Sequence, residues 1–105
     1  MDVQINTDGN IEGDNALARQ VEAVVRETLD RFSEQVTRVE VHLSDENSDN
    51  KFGTNDKRCL LEVHLAGRQP IAVSDQAATV EQAVHGAAEK MERSLVSTLG
   101  RLGNR

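Results

Sequence analysis

"TRVEVHLSD" (residues 37–45) and "KRCLLEVHLA" (residues 57–66) alternate apolar and polar side chains. Successive side chains of a strand point to opposite faces, so a period of two marks a strand with one dry side and one wet side. In the first segment Val39, Val41 and Leu43 share a face, and Arg38, Glu40, His42 and Ser44 share the other. In the second, Cys59, Leu61, Val63 and Leu65 point inward, and Arg58, Leu60, Glu62 and His64 outward. A sheet with one wet face is covered by helices on the other face only.

Upstream, Val3 and Ile5 alternate with Asp2, Gln4 and Asn6, the pattern of a short half-buried strand. The turn-rich "TDGNIEG" (7–13) follows, and Asp14 is placed to cap a helix. Leu17, Val21, Val24, Val25, Thr28 and Phe32 then recur at three- and four-residue steps, which predicts one apolar helix face over residues 15–34. Its outer side carries Glu22→Arg26, Arg26→Asp30 and Glu27→Arg31 at i,i+4, pairs that each contribute about 0.2–0.5 kcal/mol.

Downstream of the second quoted strand, Gly67 and Arg68 predict a short turn, and "QPIAVS" (69–74) a strand with Ile71 and Val73 inward. Pro70 cannot donate to a ladder, which suits an edge strand. A further turn is expected over 75–79. Val80, Val84, Ala87, Met91, Leu95, Thr98 and Leu102 then follow helical spacing, with Gly100 expected to fray the end. The element order is βαβββα. It predicts an α+β open-faced sandwich: a four-stranded sheet with two helices packed on one face. The first two strands are parallel if adjacent, because a crossover helix joins them.

The 105 residues suit a single domain over 1–105. Phe32 and Phe52 are the only aromatics, so the core is aliphatic. Cys59 is the sole cysteine, which rules out an internal disulfide. The opening "MDVQINTDGN" lacks a basic start followed by an apolar run, and no stretch reaches the ~18 apolar residues of a membrane span. A cytoplasmic protein without a membrane partner is expected.

The formal charge is -6, unevenly spread. Residues 89–105 set Lys90, Arg93, Arg101 and Arg105 against Glu89 and Glu92, a net of +2, which leaves -8 on residues 1–88. Such a balance disfavours a polyanionic partner at long range. Salt screens that repulsion beyond ~8–10 Å and leaves contacts at short range to decide.

Little in the chain points to catalysis. "DENSDNKFGTND" (45–56) places Asp45, Asn47, Asp49 and Asp56 at positions 1, 3, 5 and 12 of a calcium loop. Asn50 stands where that loop needs glycine, and position 12 is Asp rather than Glu, so a polar hairpin loop is expected instead. Cys59 and His64 fall on opposite faces of one strand and cannot share a metal. His42 and His64, beside Glu40 and Glu62 on the wet face, read as a solvated charge mosaic. No nucleophile elbow, phosphate loop, zinc-protease or dinucleotide motif occurs. No enzyme activity, metal, cofactor or small-molecule substrate is expected.

Binding is the better prospect. Gly86, Lys90, Arg93, Ser97 and Arg101 are spaced 4, 3, 4 and 4, which puts them on one helical stripe beside the core stripe. Lys offers a point charge to a phosphate and Arg a planar fork, and small residues at Gly86 and Ser97 would admit a close backbone approach. Arg19 and Arg26 share a face of the first helix. With no aromatic platform, phosphate and shape rather than base stacking must carry any nucleic-acid contact.

Three phrases in this order and spacing resemble the ribosome hibernation-promoting factors and ribosome-associated inhibitors, short form. They are "VQINTDGNIEGDNAL" (3–17) for the opening strand and capped helix, "RVEVHLSDEN" (38–47) for the second strand, and "VEQAVHGAAEKMERSL" (80–95) for the last helix. The resemblance covers nearly the whole chain. It implies a fold related to double-stranded-RNA-binding domains. It also implies a non-enzymatic factor that sits in the small ribosomal subunit, where messenger and transfer RNA meet, and idles ribosomes under stress or in stationary phase. Lys90 and Arg93 fall on the basic positions of the family's K-L-x-R-Q-L phrase, Arg101 follows where relatives carry further lysines, and Arg26 lies in their lysine-bearing region of the first helix. The resemblance thus implies an RNA-binding set of Lys90, Arg93, Arg101, Arg26 and Arg19.

The departures matter too. Ser97 and Leu99 stand where relatives usually have Lys or another polar cation, and Val24, Glu27 and Thr28 occupy much of the lysine-rich part of the first helix. Neither the C-terminal extension of long members nor the acidic tail of one short type is expected. Fewer cations imply weaker, more salt-sensitive binding. The rival reading is a diverged paralogue that binds protein through the open sheet or its acidic first part. A monomer or a weak dimer through Leu60 and the last strand's edge is expected.

Overall fold

In the computed structural model, residues 1–8, 15–45 and 56–103 are described, with side chains through Gly100. Strands β1 (Asp2–Thr7), β2 (Val36–Asp45), β3 (Lys57–Leu65) and β4 (Ile71–Ala77) form one sheet in the order β1-β2-β3-β4. Helix α1 (Asn15–Leu29) connects β1 to β2, and α2 (Val80–Gly103) follows β4. β1 runs parallel to β2, as a crossover demands, and the other neighbours are antiparallel.

The predicted alternation appears as burial. Val39, Val41, Cys59, Leu61 and Val63 are inaccessible on the inner face, while Arg38, Glu40, His42, Glu62 and His64 stay partly exposed on the outer one. Register aligns the inner rows: Val3 lies beside Val39, Val41 beside Leu61, and Leu61 beside Val73. Val21, Val25 and Leu29 of α1, with Ala87, Met91 and Leu95 of α2, close the core from the helix side. The open-faced α+β sandwich is therefore the fold, with an aliphatic interior. None of its helices is long and apolar enough to cross a membrane, among the described residues.

Two local expectations are corrected. The first helix stops at Leu29 rather than at residue 34 and tightens into a 3-10 turn over Asp30–Phe32. Phe32 remains buried, so the apolar face continues while the chain turns toward β2. The last strand extends to Ala77, because Asp75 and Gln76 pair in register with Cys59 and Arg58. Helix α2 runs to Gly103, in line with helical spacing through Leu102. On the outer face, His42 lies opposite Leu60, and His64 opposite Arg38. The Asp14 cap and the interior of the proposed calcium loop lie outside the described residues.

Two turns fix α2 and β4. Thr79 caps α2, its Oγ1 accepting from the Gln82 amide at 3.1 Å. Gly67, at φ 71°, supplies the positive φ that the β3–β4 turn needs, and the Arg68 amide donates to the Leu65 carbonyl at 3.3 Å.

Candidate nucleic-acid interface

Helix α2 buries Val84, Ala87, Ala88, Met91 and Leu95 against the sheet. That orientation turns Lys90 and Arg93 outward, and both are exposed. Arg93 has no ion-pair or hydrogen-bond partner among the described residues and projects freely. Lys90 differs. Its ammonium donates to the Ser74 carbonyl at 2.9 Å and to Asp75 Oδ1 at 3.0 Å. Glu89 and Glu92, its acidic neighbours in sequence, do not hold it; the counter-charge comes from β4.

Asp75 is the residue that sequence reasoning missed. It lies opposite Cys59 in the β3–β4 register, on the helix-facing side at the sheet's edge. Its carboxylate nests against α2 where Gly86 has no side chain, and a Cβ built at Gly86 collides with Asp75 Oδ2. The small residue on the stripe therefore accommodates the protein's own carboxylate rather than a partner's backbone. A glycine inside a strongly helical pattern was the available signal.

The first-helix cations are arranged otherwise. Arg26 pairs with Glu22 at 2.7 Å, the i,i+4 contact expected, and its Nη1 donates to the Met1 carbonyl at 3.0 Å. Arg26 is thus tied to the β1 edge and Lys90 to the β4 edge. Three strand spacings separate those edges, roughly 14 Å. Arg19 is exposed on α1. The side chain of Arg101 lies outside the described residues. Among the described basic residues, Lys90 and Arg93 share a surface of α2, and Arg26 belongs to the far edge of the sheet.

Other candidate chemistry resolves into structure. Burial pushes the Cys59 thiol up to about 12, assisted by the Asp75 charge, so it is a neutral core group at physiological pH. Asp45 and Asp56, the two ends of the supposed calcium loop, flank Lys57 Nζ at 3.4 and 3.2 Å. The hydrogen bond to Asp56 is the main cause of a raised Lys57 pKa. On the open face, Glu40 takes the Arg38 guanidinium at 2.8 Å and lies between His42 and His64, at 3.4 and 3.7 Å.

The family model for the Sigma 54 modulation protein / S30EA ribosomal protein matches residues 3–102. The chain belongs to this family. Its members are ribosome-associated modulation and hibernation factors. Solved structures share the fold, among them the following two. The Protein Y N-terminal domain of Thermus thermophilus superposes with a TM-score of 0.71 at 21% identity, over 90% of this chain and 96% of that one. A ribosomal subunit interface protein from Coxiella burnetii gives 0.70 at 17% identity, over 95% and 99%. No curated protein sequence matches. Within the family framework, α2 of this member carries its basic residues on a helix braced against an edge-strand carboxylate.

Proposed function

We propose that the protein is a cytoplasmic ribosome-silencing factor that occupies the small subunit near the decoding channel and blocks translation by steric occupancy under stress or in stationary phase. Family membership across residues 3–102 is the observation that carries this reading. The fold shared with a protein described as a ribosomal subunit interface protein supports it. Arg93 and Lys90 face rRNA phosphates, Arg101 extends the line, and Arg26 and Arg19 assist from α1. No bond is made or broken; the bound volume of the domain does the work.

The physical condition is that contact outweighs long-range repulsion. Residues 1–88 carry a net -8, but at physiological salt that charge is screened beyond about 8 Å. A guanidinium touching a phosphate is not screened in that way, and a forked contact is both stronger and more directional. Each phosphate neutralised adds about 0.7–0.9 to the salt slope of binding. With few cations, association is strongest in dilute buffer and falls quickly with salt.

Sedimentation of the protein with purified small subunits over a salt series tests the proposal. The expected result is co-sedimentation at low salt that is lost as salt rises. A second reading, a protein-binding module, draws on the Lys90–Asp75 pair, which already neutralises one of the cations. Pull-downs that resist both nuclease and salt would favour that module over rRNA binding.

A further inference from the structure

The outer face of the sheet carries a cluster that takes no part in the ribosome contacts proposed for α2 and α1. Glu40 on β2 and Glu62 on β3 are direct cross-strand partners. Like charges in that relationship repel. His64 stands beside them: its Nε2 lies 3.2 Å from Glu62 Oε1 and 3.7 Å from Glu40 Oε2. One ligand atom from each of the three residues lies within 4.8 Å of the others.

The polar contacts of this cluster crowd around one ring nitrogen. His64 Nε2 faces two carboxylate acceptors and also Arg38 Nη2, a donor, at 3.4 Å. With a proton on Nε2 the nitrogen serves Glu62 but opposes Arg38. Without one it accepts from Arg38 but sets a lone pair against two carboxylates. Arg38 is poorly satisfied as well: its Nε is buried with no hydrogen-bond partner among the described residues. The present cation pairs with Glu40, its Nη2 lying 2.8 Å from Oε2, while its own Nε stays unpaired.

We propose that Glu40, Glu62 and His64 form a binding site for a zinc-class divalent ion, which replaces the Arg38 guanidinium. A tetrahedral ion about 2.0–2.2 Å from its nitrogen and oxygen ligands holds them roughly 3.4 Å apart. The two His64 separations, 3.2 and 3.7 Å, bracket that edge. Imidazole with carboxylates selects zinc-like ions over magnesium or calcium, which prefer oxygen alone. Glu40 keeps one oxygen for His42, whose Nε2 is 3.4 Å from Glu40 Oε1, and this outer contact orients the ligand. Water completes the coordination on the solvent side. Arg38, whose side chain is 43% exposed, swings outward, where its Nε is hydrated. Cys59 is buried on the opposite face and does not compete.

Calorimetric titration of the metal-free full chain with zinc chloride tests the site, with cobalt(II) absorbance as a second readout. One saturable ion per chain is expected, together with a rise in Tm that chelator reverses. Glu62→Gln and His64→Gln each weaken binding about tenfold or more. Arg38→Ala tightens it, because the competing cation is gone. All three side chains lie on the wet face, and circular dichroism verifies that the variants fold. Absence of saturable binding, binding undiminished in either ligand variant, or weaker binding by Arg38→Ala overturns the proposal.

Discussion

Lys90 Nζ stands 3.0 Å from Asp75 Oδ1, so one of the two cations matched to the family's basic phrase is held by the protein's own edge strand. Both partners are accessible, with side chains 46% and 28% exposed. A pair so open to solvent contributes no more than about 0–1 kcal/mol to stability. Its effect falls on binding: a phosphate that recruits Lys90 must displace Asp75.

Asp75→Asn removes that competition. The variant is expected to unfold in urea within about 1 kcal/mol of the parent. It should bind small subunits more tightly, most visibly at low salt. Equal affinity of variant and parent would show that Lys90 does not reach phosphate.

Gly86 and Asp75 are coupled through space. Alanine in a helix is favoured over glycine by about 0.8–1.0 kcal/mol, but here the new Cβ meets the Asp75 carboxylate. Gly86→Ala alone should therefore yield less than that gain and should loosen the Lys90 contact. In an Asp75→Ala background the same substitution should stabilise by the full ~1 kcal/mol. Urea midpoints of the four combinations measure the coupling.

The sheet was legible because residues 37–45 and 57–66 alternate strictly, and burial follows that alternation at Val39, Val41, Leu61 and Val63. The parallel β1–β2 pairing followed from the crossover helix. Helix ends were less legible: Phe32 keeps the apolar period although the chain has left α-helical geometry, so periodicity alone overran Leu29. The site was half visible. Spacing placed Lys90 and Arg93 on one stripe, but the counter-charge sits 15 residues upstream of Lys90 on a strand read as ending at Ser74. Proximity across the fold leaves no mark on local spacing. The outer-face residues were grouped by alternation, but which of them touch was not legible, because Glu40 and Glu62 meet only through the β2–β3 register.

Cys59 predicts a pH effect. Burial keeps its thiol neutral in the fold up to about pH 12, whereas the unfolded thiol ionises near its ordinary value of 9.0. Between those values the native state binds the extra proton, so the slope of stability against pH is negative. The contribution is complete below about 9 and is lost as pH rises toward about 12. Urea melts across alkaline pH should show this decline in the parent and a shallower one in Cys59→Ala. A thiol reagent at pH 8 should react only in step with unfolding.

Leu61 tests the core. It is fully buried at the centre of β3 between Val41 and Val73. Leu61→Ala should cost about 2–5 kcal/mol, measured by thermal or urea unfolding. Leu60→Ala, one position along and facing the other way, should cost markedly less.

The most direct test of the central claim is sedimentation of the doubly charge-reversed Lys90→Glu, Arg93→Glu protein with small ribosomal subunits in low salt, beside the parent. Both residues are exposed, so the variant should stay folded by circular dichroism. The account predicts that the parent pellets with the subunits and the variant remains in the supernatant. A folded variant that pellets as fully as the parent would contradict it.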